Sequence, residues 1–99
     1  MVDRLRSRFS VSGLTAVEGA RCVDDLTLEL ASRTWHHRPV IVLDSAEQRV
    51  IVELECDFDS FDVPDSLVQI QLRELRDSLR RTRWGGRRLR IETEDVWVL

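Results

Sequence analysis

His36, His37, Cys22 and Cys56 are the histidines and cysteines of this 99-residue chain, and together they could in principle hold zinc. Their spacing fits no recognised zinc site, because no cysteines stand two apart and the two histidines are adjacent. The expectation is no metal and no other cofactor, with Cys22 and Cys56 acting as small buried hydrophobes. Two cysteines make no disulfide framework, so a reduced thiol state and a cytoplasmic setting are expected. A link between them stays open if the fold sets them face to face. His36 or His37 can serve as a general base, but the sequence places no nucleophile or carboxylate beside them. Asp57, Phe58, Asp59, Ser60, Phe61 and Asp62 start like a calcium loop. The sixth position then lacks Gly and the twelfth is Val68 rather than Glu, so the motif fails as an EF-hand. No nucleophile elbow, phosphate-cradling loop or dinucleotide fingerprint occurs. An enzyme centred on the histidine pair is therefore the third-ranked reading, and a non-enzyme is expected.

The second chemical resource is arginine. All 15 basic residues are Arg, while Lys, Asn and Tyr are absent. Those three residues have A/T-rich codons, which points to a high-GC, bacterial genome rather than to selection for guanidinium. Placement matters more than number. Arg73, Arg76, Arg80, Arg83 and Arg87 recur at spacings of three and four, as if lining one side of a helix. Such a cluster is the footprint of a polyanion or an acidic partner. The net charge of −3 argues against a dedicated nucleic-acid binder. Nucleic acid is thus possible but not favoured.

The chain that must position these groups reads as one domain, 1–99. Apolar residues make up 42% and charged residues 33%, enough to bury a core and too much apolar content for disorder. No stretch approaches a membrane span, and no basic-then-apolar leader opens the chain. Leu5, Ser7, Phe9 and Val11 alternate with Arg4, Arg6, Arg8 and Ser10, the period of a half-buried strand. Ser12 and Gly13 stop it. Thr15 with Glu18 forms a capping box. Ala16, Ala20, Val23, Leu26 or Thr27, and Leu30 continue at helical spacing. Leu26, Leu28 and Leu30 also alternate, so 25–31 reads as helix or strand, with helix preferred.

Pro39 ends that segment, and the apolar run 40–43 predicts a strand. A hairpin over 44–48 leads to another strand. Val50, Val52, Leu54, Cys56 and Phe58 face inward there, and Ile51, Glu53, Glu55, Asp57 and Asp59 face outward. Asp62, Pro64 and Asp65 mark a helix start. Val68, Leu72, Leu75 and Leu79 give the clearest helical signal, which Gly85 and Gly86 end. Leu89, Ile91 and Thr93 alternate with Arg88, Arg90, Glu92 and Glu94 in a last strand, and 96–99 reads as a small added strand.

The order strand, helix, strand, strand, helix, strand is that of an α+β ferredoxin-like βαββαβ sandwich. Its four-stranded antiparallel sheet, ordered four, one, three, two, carries two helices on one face. Phe9, Ser10, Val11, Ser12, Gly13, Leu14 and Thr15 resemble the strand-to-loop transition of heavy-metal-associated domains, which share this topology. Those domains carry Cys at the next position and again three later. Ala16 and Gly19 stand there in this chain, so the metal binding implied by the resemblance is not expected.

The uncovered sheet face then carries Arg4, Arg6 and Arg8 beside Glu53 and Glu55, a cross-strand charge ladder. RNA recognition on this topology requires exposed aromatics on the middle strands, but Phe9 and Phe58 fall on the inward set. The leading expectation is a non-enzymatic protein-interaction or regulatory module using this face and the Arg-lined second helix. The partner is another protein or a second copy, paired through 40–43 or the C-terminal 96–99, and not a membrane. Anion or nucleic-acid binding through the Arg helix is the alternative.

Overall fold

The computed structural model describes residues 3–33, 37–59 and 61–99, so His36 and Ser60 lie outside the described residues. The elements are β1 (Asp3–Ser12), α1 (Ala16–Ala31), β2 (His37–Asp44), β3 (Arg49–Phe58), α2 (Pro64–Arg80) and β4 (Arg90–Val98). The strands form one antiparallel sheet in the order β2-β3-β1-β4. This is the expected ferredoxin-like βαββαβ arrangement, with the helices packed against one face.

Each element follows from local chemistry. The period-two stretch of β1 buries Leu5, Ser7, Phe9 and Val11. Gly13 turns the chain at φ 107°, a conformation an L side chain resists. The capping box then starts α1: Glu18 N–H donates to Thr15 Oγ1, and Thr15 N–H donates to Glu18 Oε1. Residues 25–31 are helical throughout. The buried stripe of α1 is Gly19, Cys22, Leu26 and Leu30, rotated from the expected Ala16, Ala20 and Val23. Gly19 sits so close to Leu43 that a Cβ there would lie 2.7 Å from its Cδ1, so any side chain at this position would force the Leu43 methyl to shift.

Pro39 does not end a segment. It lies inside β2, an edge strand, where a missing N–H is tolerated. Arg38 at φ 47° and Pro39 form an irregularity there, because His37 pairs Glu55 and Val40 already pairs Glu53.

The second correction concerns the chain end. Residues 96–98 are not an added strand but the continuation of β4. Thr93 pairs Phe9 and Asp95 pairs Arg8, so Glu94 is an extra residue in a β-bulge. The bulge resets the alternation. Ile91 opposes Val11, while Trp97 opposes Arg6 and so stands on the uncovered face.

The helix α2 stops at Arg80, with Arg81 as its C-cap. It does not run to Gly85. Arg83 and Arg87 therefore lie on the following turns and not on the helix. The core gathers Leu5, Phe9, Val11, Leu26, Leu30, Val50, Val52, Leu54 and Leu75, with Cys22 and Cys56 both free and buried among them. Burial pushes each thiol up to about 11, so both stay protonated at neutral pH. Polar side chains share this interior, with Ser7, Gln71 and Ser78 fully buried. Gln71 accepts from Ser7 Oγ at 2.5 Å and donates to the Leu54 carbonyl at 3.2 Å.

Candidate functional site

The uncovered sheet face is built by outward positions of four strands. On β1 and β3 the expected charge rows do meet. Arg4 reaches Glu55 at 3.0 Å, while Arg6 and Arg8 both reach Glu53, at 3.1 and 3.0 Å. The register sets Arg8 directly opposite Glu53, but Arg4 opposite Asp57 and Arg6 opposite Glu55. Two of the three arginines thus lean one pair along, within the diagonal reach of long side chains. The Glu53 side chain is only 14% exposed, so its carboxylate is covered by its two guanidinium partners rather than by water.

Trp97 lies beneath this row. The guanidinium carbons of Arg6 and Arg8 stand 5.9 and 5.8 Å from its ring, within cation–π range. Sequence reasoning missed this residue, because strict alternation from Leu89 would put it inward. The available signal was the pair Glu94 and Asp95: two adjacent acids cannot both be accommodated by an unbroken half-buried strand.

The bulged Glu94 binds the same face together. It accepts from Ser10 Oγ at 2.6 Å and from Arg49 Nη1 at 2.8 Å. Arg49 also donates to Asp44 at 3.2 Å, and that carboxylate raises its pKa further. Toward β2 the face turns apolar. Val40, Val42 and Ile51, with Arg8, Arg49 and Glu53, line a shallow cavity of about 250 Å³.

The other arginines divide into two groups. Arg73, Arg76 and Arg80 stay on α2 and, with Gln69 and Asp77, line a cleft of about 420 Å³. Among the described residues Arg73 and Arg76 have no ion-pair partner, and Arg80 has Asp77 at 3.6 Å. Arg83 and Arg87 turn instead toward acids of α1. Arg83 grips Asp25 at 2.9 and 3.4 Å, and Trp84 Nε1 donates to the same carboxylate at 3.0 Å. Arg87 pairs with Glu18, the capping-box acid. The single-sided row of five is therefore three exposed helix residues and two ties between the turn and α1.

The Arg87 guanidinium, helped by the Thr15 N–H, holds the Glu18 carboxyl down to about 2. Because the folded value lies below the unfolded one, the contribution is complete above about pH 4.5 and is lost as pH falls through about 2. The pair is exposed, so the effect is small. In Arg87→Gln, the decline of Tm across that acid window is expected to become shallower. An unchanged profile would show that the pair adds nothing.

His37 opens β2, and its Nε2 lies 2.9 Å from Asp57 Oδ1. The fold thus supplies the carboxylate neighbour that the sequence did not place. The calcium-like segment uses its acids locally: Asp59 Oδ1 accepts from Phe61 N–H at 2.8 Å and Asp62 Oδ2 from Asp59 N–H at 2.9 Å. Among the described residues no helix is long and apolar enough to cross a membrane.

Compared with protein families and with curated proteins, the chain matches none.

Proposed function

We propose that this chain is a non-enzymatic protein-interaction module that docks a protein partner on the helix-free face of its sheet. The observation that carries this reading is Trp97, half-buried on that face against Arg6 and Arg8. Tryptophan and arginine supply much of the binding energy at protein interfaces. Here the ion pairs to Glu53 already order the two guanidinium groups, which lowers the entropy lost on docking. The neighbouring Val40, Val42 and Ile51 give an apolar lane beside the charges, the mixture typical of a docking surface.

The test is affinity purification from the organism of origin with quantitative mass spectrometry, comparing wild type with Trp97→Ala and Val42→Asp. A partner bound at least tenfold more weakly by both variants, and equally by Arg73→Glu on the helix side, is the expected result. Partners indifferent to both face variants would overturn the reading.

A second reading is favoured by the α2 cleft. Arg73, Arg76 and Arg80 converge there with Asp77 as their one carboxylate, a shape that suits a polyanion. Retention on heparin that falls steeply with salt would support it. Flow-through at low salt would remove it.

A further inference from the structure

Two features at opposite ends of α2 are unused by the sheet face. Before the helix stands Phe61, 93% exposed. A phenylalanine in water forgoes the gain of burying its ring, so a partner that covers Phe61 recovers it. The Phe61 N–H donates to the Asp59 carboxylate and the Asp59 N–H to the Asp62 carboxylate, so hydrogen bonds tie the backbone of Phe61 to its acidic neighbours. Asp59, Asp62 and Asp65 surround it with negative charge, and Val63 beside it is also exposed.

Past the other end of the helix lies the complement. Leu79, Trp84, Leu89 and Ile91 line a cleft of about 200 Å³, rimmed by Arg76 and Arg80. Trp84 is fixed there by its bond to Asp25, and the turn is tight: a Cβ on Gly85 would lie 2.6 Å from the Arg80 carbonyl. One site is an aromatic tip among acids; the other is an apolar floor among arginines.

They cannot meet within one molecule. The 17 residues of α2 separate them by roughly 25 Å at 1.5 Å per residue. We propose that copies of this chain associate head to tail, with Phe61 of one copy seated in the Arg-rimmed cleft of the next. The contact is heterologous, so it extends into chains or closes into rings rather than stopping at a two-fold dimer. A single loop tip buries less than the roughly 1,200 Å² of a standard interface. Association is therefore weak and visible only at high protein concentration. Carboxylate–guanidinium attraction across the junction makes it weaken with salt.

Sedimentation velocity over a concentration series tests this. Wild type is expected to grow beyond dimer with concentration, and less so in high salt. Phe61→Ser alone, and the double variant Arg76→Glu/Arg80→Glu alone, are expected to remain monomeric. Mixed in equal amounts they should form a one-to-one dimer and nothing larger, since one copy keeps an intact cleft and the other an intact tip. All three positions are exposed, and unchanged thermal melts would confirm that both variants fold. Monomeric wild type at high concentration, or a mixture that stays monomeric, would overturn the proposal. So would self-association lost in Trp97→Ala but kept in Phe61→Ser, which would assign it to the sheet face. Heparin retention lost in the double arginine variant, with self-association unchanged, would likewise overturn it in favour of a polyanion.

Discussion

Gln71→Ala is expected to lower stability by about 3 kcal/mol and the Tm by on the order of 15 °C for a domain of this size. Gln71 is fully buried on the sheet-facing side of α2. Its carbonyl accepts from Ser7 Oγ, and its amide donates to the Leu54 carbonyl and lies 3.5 Å from Cys56 Sγ. One side chain thus ties the second helix to β1 and β3. Truncation opens a cavity and leaves the Ser7 hydroxyl buried without its acceptor. Gln71→Leu separates these effects, because it fills the space but restores no acceptor. The double variant Ser7→Ala/Gln71→Leu removes both polar partners and is expected to recover most of the loss. Urea unfolding of the four proteins measures this. A Gln71→Leu variant as stable as wild type would show that the buried bond adds nothing.

Glu53→Ala is expected to cost about 2 kcal/mol, between the ~0.5 of an exposed pair and the ~3–5 of breaking a buried one. Glu53 is mostly buried and is shared by Arg6 and Arg8. Without it two guanidinium groups stand side by side over Trp97 with no carboxylate between them. Glu53→Gln keeps an acceptor oxygen and should lose roughly half as much. The comparison is Glu92→Ala, whose partner Arg90 lies 2.5 Å away in a far more exposed pair. That loss should stay within about 0.5 kcal/mol. Equal losses for Glu53→Ala and Glu92→Ala would mean that the ladder is mere surface charge and not a pre-ordered docking face. In the same variants, any partner bound through this face should bind more weakly with Glu53→Ala than with Glu92→Ala.

Much of the fold is legible in the residues because its signals are local. Thr15 and Glu18 form the capping box that their spacing announces. The alternation of β1 and β3 assigns Phe9, Val52 and Leu54 to the core and Arg8 and Glu53 to the other face. Ambiguity between periods arose at Leu26, Leu28 and Leu30. Tertiary contact settled it, burying Leu26 and Leu30 and leaving Leu28 exposed. The candidate face was half legible. Its arginines and glutamates follow from alternation, whereas Trp97 depends on one bulged residue, which shifts every later side chain to the opposite face.

By itself, then, the amino-acid order determined the six elements and their α+β arrangement, with a row of arginines beside a row of carboxylates. These follow from hydrogen bonds and apolar periods spanning a few residues. Only the tertiary structure decided which charges remain available. Arg83 is tied to Asp25 across 58 positions and Arg87 to Glu18 across 69, while Arg73 and Arg76 are left without ion-pair partners among the described residues. Helical spacing registers neighbours three and four apart, but a guanidinium pairs with whichever carboxylate the packing of distant elements brings within reach.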